Sequence, residues 1–368
     1  MARRVHLHIG LPKTGTTFLQ TTMWHNRGPL SDQGFLYPGH DRMQHYRASQ
    51  EVRGAGRKAL RGRAGAWDRL LGEIADWPGD ALVSHEFFSM ATPEQALAAV
   101  EALAPAEVHV VMTVRSYILQ FPAVWQEALK MNSLLSFDAF MEEALAGNLK
   151  GAWGWQSQDI PAVLARWSAA VPPERLTVVT VPPPGAPRDL LWKRWREAIG
   201  IDDSGFDFDV AYANESIGAA QAALLLRVKP LLSGPLRSGN VRHRWVRQYF
   251  GHEVLVPQRG ERFAPRPEHA AVLLERVTEA TEVIRDGGFP VVGDLEDLTS
   301  VRPSESGAYP DDVTDAEIVD VAARAIEQMI RDVKKLTEQR DRARRAARGR
   351  ARGLARRVWM RIRRVRRP

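Results

Sequence analysis

Residues Ile9 to Gln20 constrain the fold more than any other stretch of the chain. They read Ile-Gly-Leu-Pro-Lys-Thr-Gly-Thr-Thr-Phe-Leu-Gln and follow the apolar alternation Val5, Leu7, Ile9. The alternation predicts a strand, the glycines a loop, and Thr16 to about Asn26 a helix with Phe18, Leu19 and Met23 on its inner face. A strand feeding a glycine loop and then a helix start is a cradle for phosphate. Backbone N–H groups converge there, and the helix dipole favours an anion. In the nucleoside triphosphate pattern G-x-x-x-x-G-K-[ST] the lysine follows the second glycine. Here Gly10 and Gly15 keep that spacing, but Thr16 stands in the lysine position and Lys13 lies inside the loop. A lysine at the loop apex addresses a different part of a ligand from one at the helix start.

Further strands are predicted at Ala81–Ser84, Val108–Val114 and Leu176–Val181. The second is apolar almost throughout, as a parallel strand covered on both faces must be. Helices are predicted from Thr92-Pro93-Glu94-Gln95 onward, with Thr92 as N-cap, and at Ile118–Met131 despite Pro122. Others fall at Leu190–Ile199, Ala219–Leu232 and Glu268–Arg285, while Gly28–Gly65 yields no element. The expected architecture is α/β, with a P-loop-like central parallel sheet flanked by helices over residues 1–300. A Pro-, Ser- and Asp-rich linker at 301–313 follows, then an amphipathic helix at 314–345 opened by Thr314-Asp315-Ala316-Glu317. Its apolar positions Ile318, Ala322, Ala325, Met329, Val333 and Leu336 suit either packing on the body or a coiled-coil seam. The seam would allow a homo-oligomer through 314–340. Ligands of parallel sheets bind beyond the carboxyl ends of the strands. Three such ends carry suggestive groups and are expected to converge: Gly10–Thr17, Ser84–Glu86 and Arg115–Ser116.

The 368 residues contain no cysteine, which excludes disulfides, thiolate metal sites and cysteine nucleophiles. No apolar run approaches bilayer length, and Met-Ala-Arg-Arg leads directly into the first strand. A cytoplasmic protein is the expectation. The net charge of +7 is unevenly placed: residues 340–368 hold fourteen arginines and one aspartate. Removing that +13 leaves −6 for residues 1–339. The overall charge is therefore no argument that the body binds nucleic acid. In the Arg-rich tail, 346–368, Leu354, Val358, Trp359, Ile362 and Val365 share one face of a predicted helix. A basic amphipathic helix of this kind suits an anionic membrane surface, placing the protein at the periphery of the inner membrane. Nucleic-acid binding or simple solubilisation are its rivals.

The loop resembles the 5'-phosphosulfate loop of sulfotransferases that use PAPS (3'-phosphoadenosine 5'-phosphosulfate). Their Pro-Lys-x-Gly-Thr-Thr is matched by Pro12, Lys13, Gly15, Thr16 and Thr17, with Thr14 at the free position. The chain is also similar to the actinobacterial sulfotransferase-like group over about residues 4–298. The shared features are Gly34-Phe35-Leu36-Tyr37-Pro38-Gly39, Ser84-His85-Glu86-Phe87, Pro122-Ala123-Val124-Trp125-Gln126-Glu127 and Asn214-Glu215-Ser216. The resemblance implies PAPS as donor co-substrate, no metal, and transfer to a hydroxyl of a carbohydrate, glycolipid or small metabolite. Lys13 would stabilise the bridging oxygen, and Thr14, Gly15, Thr16 and Thr17 would hold the 5'-phosphate. Arg115 would grip the 3'-phosphate. The family's serine eight residues later is Ala123 here, so Ser116 or Gln120 is the substitute. His85 or Glu86 is expected as the base, with His45 as a third option. Gln126 and Glu127 are further candidates to face the site, and Trp153 and Trp155 could stack on an acceptor. Two rivals remain: a P-loop kinase, which the position of Lys13 disfavours, and a catalytically inactive sulfotransferase-like scaffold, which Ala123 keeps open.

Overall fold

The structure, a computed structural model, describes residues 1–54, 64–209, 216–302 and 307–365, with side chains up to residue 347. Six strands form one sheet: β1 (Arg4–His8), β2 (Phe35–Leu36), β3 (Asp80–Ser84), β4 (Glu107–Val114), β5 (Leu176–Thr180) and β6 (Val291–Val292). Their order is β2-β3-β1-β4-β5-β6, and every neighbouring pair is parallel. The expected α/β architecture with a central parallel sheet is present. β1 lies at the centre, with His8 opposite both Ser84 and Val111. The chain builds β2 and β3 on one side of β1, then crosses to β4, β5 and β6. That reversal makes a crevice at the carboxyl end of β1, where ligands of such sheets bind.

Helices cover both faces, so β1 is buried on both. Val5 and Leu7 on one face and His6 and His8 on the other are all buried. The larger core packs Val5, Leu7, Val83, Val110 and Met112 against Tyr117, Phe121 and Trp125 of the helix Tyr117–Met131. The smaller core, on the other face, joins Leu19 and Met23 to Leu82, Val111, Val179 and Trp195. Full burial of a side chain of this size is worth about 1.5–3 kcal/mol, so the two layers fix the sheet and both helices that border the loop.

Several elements depart from the sequence expectation for local reasons. The stretch Gly28–Gly65 contains helix Arg27–Asp32 at its start, strand β2 and helix Gln44–Val52. The first helix and β2 are too short to leave a periodic signature, and Gln44–Val52 carries few large apolar residues and no side-chain N-cap. The helix from Ala219 stops at Val228, because Pro230 allows only a tight 3₁₀ turn at Lys229–Leu231. The C-terminal helix runs from Asp315 to Val365 without a break. Near its start Val321 and Ala325 are buried, and Tyr249 Oη donates to Asp332 Oδ2 at 3.0 Å. Beyond them Val333 and Leu336 are exposed. The first turns of its apolar stripe thus pack on the body, and the later ones are exposed. The apolar face expected at Leu354–Val365 has its side chains outside the described residues. Among the described residues no helix is long and apolar enough to cross a membrane.

Candidate functional site

The loop after β1 is built so that little can change in it. β1 continues its ladder past its last residue, with Ile9 N–H donating to Val111 O (2.9 Å) and Leu11 N–H to Thr113 O (3.1 Å). A Cβ on Gly10 would lie 2.7 Å from Thr16 Cγ2 and 2.8 Å from both His8 Nε2 and Thr113 Oγ1, so only glycine fits there. Gly15 takes φ +84° as it turns into the helix Thr16–His25. Lys13, a residue with a side chain, takes φ +68°, a left-handed conformation that costs about 1–2 kcal/mol. The strain sits at the apex, on the residue whose position distinguishes this loop. Leu19 and Phe18 N–H donate to Gly15 O, so the N–H groups of Gly15, Thr16 and Thr17 precede the helical ladder and have no helical acceptor.

Beneath the loop a buried polar chain crosses three strands. His8 Nδ1 pairs with Ser84 Oγ at 2.7 Å, and His8 Nε2 with Thr113 Oγ1 at 3.2 Å. Thr113 Oγ1 meets Thr14 Oγ1 at 2.7 Å, and Thr14 Oγ1 donates to Leu11 O at 2.6 Å. Burial pushes the His8 imidazole down to about 3, with Glu86 opposing and His85 adding, so it is neutral at ordinary pH. The Thr14 hydroxyl is therefore committed inside the loop. Of the threonines expected to offer hydroxyls, only Thr17 is exposed, while Thr16 is buried.

The segment that follows β4 meets the loop through Arg115 and Gln120. Arg115, just past β4, donates from Nη1 to Lys13 O at 3.3 Å, while its Nε is buried without a partner. Burial, followed by the like charge of Arg262, pushes the guanidinium down to about 10. Ser116 Oγ next to it is also buried and unpartnered. Gln120 Nε2 donates to Pro12 O (3.0 Å) and Gln158 Oε1 (2.6 Å), so this amide braces the loop and its free buried atom is an acceptor. Of the two substitutes for the serine missing at Ala123, Ser116 keeps a donor to offer.

Glu127, a marginal candidate from sequence, holds a central place in the structure. Its carboxylate lies 3.6 Å from Lys13 Nζ, 3.8 Å from the buried Lys130 Nζ and 2.6 Å from Arg247 Nε. Burial alone would push the carboxyl up; Lys13, Lys130 and Arg247 together outweigh it and bring it to about 2. Arg247 comes from a widened (π) helix, His243–Leu255, a form often found at functional sites. Nothing in the sequence spacing of residues 13, 127 and 247 announces this hub. The i,i+3 pair Glu127–Lys130 is the one local signal. Neighbouring Gln126 instead accepts Ile217 N–H at 3.0 Å.

The turn after β3 (Glu86–Met90) behaves differently. His85 Nδ1 accepts Phe87 N–H at 3.1 Å, so the neutral ring carries its proton on Nε2 and caps the turn. Burial lowers its proton affinity further. Glu86 Oε2 accepts Gln20 Nε2 at 3.2 Å and lies 3.8 Å from His85 Nδ1. Burial would raise this carboxyl, but His85, the turn's own N–H and Gln20 win, and it is held ionised. His45 has no nitrogen to spare: Nε2 donates to Pro38 O (2.8 Å) and Nδ1 accepts Ser84 N–H (3.1 Å). As a base it is displaced by this backbone role. Trp155 stacks on Phe121 at 5.3 Å on one side and carries the Arg276 guanidinium 4.1 Å from its ring, so its faces are taken. Trp153 packs against the core. Asn214 and Glu215 lie outside the described residues.

A doubly phosphorylated nucleotide needs donors at two places. Arg115 Nε and Ser116 Oγ, buried and unpartnered, fit one phosphate, and the N–H groups of Gly15 to Thr17 fit another. Two comparisons with known proteins, against family models and against curated proteins, find no match. Among solved structures the chain is similar to a crystal structure of a sulfotransferase from Alicyclobacillus acidocaldarius, with 15% identity and a TM-score of 0.40, over 58% of this chain and 88% of that one.

Proposed function

We propose that the protein is a sulfotransferase that uses PAPS as donor and a hydroxyl of a carbohydrate, glycolipid or small metabolite as acceptor. The observation that carries this reading is the pairing of an apical loop lysine, Lys13, with unpartnered buried donors on Arg115 and Ser116 beside the same loop. The donor supplies the sulfuryl group: the acceptor oxygen bonds to sulfur, the bridging S–O bond breaks onto the 5'-phosphate, and the acceptor proton leaves to a base. Lys13 places a point charge where negative charge develops, and Glu127, 3.6 Å away, holds that ammonium in position. Arg115 and Ser116 hold the 3'-phosphate. Glu86 is the base: it is ionised, whereas His85 offers a proton on Nε2 rather than a lone pair.

Calorimetry with PAP, the desulfated nucleotide, tests the reading. Metal-independent binding that disappears in Lys13→Ala and Arg115→Ala supports it. Binding of Mg-ATP with none of PAP replaces it with the kinase alternative, and PAP binding without any transfer favours the inactive scaffold. Two further proposals concern the C-terminal helix: contact of residues 346–368 with an anionic membrane and self-association through 314–340. Equal sedimentation of full-length and 1–339 protein with anionic vesicles would remove the first. A strictly monomeric mass at high concentration would remove the second.

A further inference from the structure

A cavity of about 300 Å³ opens beside the turn that carries His85 and Glu86, and among the described residues its only charged lining side chains are Arg53 and Arg166. Met90 and Thr92, at the end of that turn and just beyond it, line the cavity together with Gln156 and Ser157. The two arginines reach it from separate elements, Arg53 from the end of the helix Gln44–Val52 and Arg166 from the helix Ile160–Ser168. Neither makes an ion pair among the described residues. The acid next to Arg53, Glu51, is spent elsewhere, its two oxygens accepting Ala66 N–H and Trp67 N–H. Asp159 near Arg166 instead caps its own helix, accepting Ala162 N–H. Arg166 Nη2 donates to Ser89 O and Gln156 O, both at 3.0 Å, which aims the guanidinium and leaves its buried Nε unpartnered. Arg53 lies over Phe87, its guanidinium carbon 5.9 Å from the ring centre, and Phe87 in turn contacts His85. Burial lowers the pKa of both arginines from their ordinary value, and the nearby charge of Asp159 at Arg166 and of Tyr46 at Arg53 offsets it only in part.

Two half-buried guanidiniums outside any ion pair are costly unless an anion completes them. The cavity is monosaccharide-sized, mixes apolar and hydrogen-bonding walls, and is lined by Met90, the last residue of the turn that begins at Glu86. We propose that it is the acceptor pocket and that the hydroxyl acceptor carries an anionic group, a carboxylate or a phosphate, gripped by Arg53 and Arg166. The assignment of the pocket to an acceptor rests on the sulfotransferase reading; the anion site itself does not. Arg53 and Arg166 act as specificity residues, holding the acceptor by its charge while its hydroxyl faces Glu86.

The test is a titration of the full-length protein, first with PAP and then, with PAP saturating, with inorganic phosphate and separately with acetate at constant ionic strength. Saturable binding of either anion is expected, at least fivefold weaker in Arg53→Gln and lost in Arg53→Gln/Arg166→Gln, with PAP affinity unchanged. Arg166→Lys should retain most of the anion affinity, because it preserves the charge. Phosphate binding points to a phosphorylated acceptor, and acetate binding to a carboxylated one. Binding of neither anion overturns the proposal, as does a folded double variant whose anion affinity lies within twofold of the parent. If the double variant does not fold, Arg53→Gln alone decides, since the Arg53 side chain makes no hydrogen bond to the described residues that would hold the fold. Failure of PAP to bind sinks the sulfotransferase reading alone, and the anion titration is then read in its absence.

Discussion

The loop after β1 and the turn after β3 stand on adjacent strands and open into the same crevice, yet they treat polar groups in opposite ways. Around the β1 loop, donors are left over: Arg115 Nε and Ser116 Oγ, both buried, and the N–H groups at the start of the loop helix. Around the β3 turn the histidines are consumed by the fold. His8 is bonded through both nitrogens, His45 through both, and His85 through the nitrogen that a base would use. A ligand is demanded where polar groups are buried and unpaired, because each such group costs about 1–3 kcal/mol until something meets it. Residue type alone points elsewhere, toward histidines that hydrogen-bond within the fold.

The most severe way to break this contrast is at the loop apex. Lys13→Ala is expected to reduce the rate of sulfuryl transfer by about 10²–10³-fold, as loss of one preorganised charge typically does, with the fold intact. Unchanged kcat would remove Lys13 from the chemistry. Next comes the β3 turn, where the two acid–base candidates separate. Glu86→Gln should cost about 10²-fold or more in kcat, and His85→Asn less than tenfold. The reverse order would hand the base back to His85. Arg115→Ala should weaken PAP about 10–100-fold, as expected for a charged hydrogen bond worth 1.5–3 kcal/mol. A loss below threefold would mean that the buried guanidinium only braces Lys13.

Two smaller effects probe the structural half of the comparison. Gly10→Ala forces a methyl against Thr16, His8 and Thr113 and should destabilise the protein by about 1–3 kcal/mol in urea unfolding. The buried histidines should also appear in the pH dependence of stability. His6 and His8 are pushed down to about 3 and His45 to about 4, in each case chiefly by burial. The unfolded chain therefore takes up these protons first, near pH 6.5. Stability is complete above that pH and falls as pH drops toward 4, by about 1.4 kcal/mol per pH unit for each histidine that protonates only on unfolding. Urea midpoints measured from pH 7 to 4.5 check the slope. A flat profile would show that these rings are charged in the native state.

Much of this molecule was legible in its sequence because the signals are local. The strands β1, β3, β4 and β5, the glycine loop, the Thr92 capping box with Gln95 and the helix carried through Pro122 each follow from neighbours within a few residues. The displaced lysine was visible in the same way, and with it the reason to prefer a phosphosulfate over a nucleoside triphosphate. Which polar side chains would be spent and which left over was not legible, because that depends on distant partners. Glu127 meets residues 13 and 247, Thr14 is bound to Thr113, His45 to Ser84, and Arg53 and Arg166 face one cavity from separate helices. The strand–loop–helix and the place of its lysine follow from adjacent residues alone, since backbone geometry there is local. Which donors remain unsatisfied depends instead on the fold, because satisfaction is a matter of contacts that the parallel sheet brings together from across the chain.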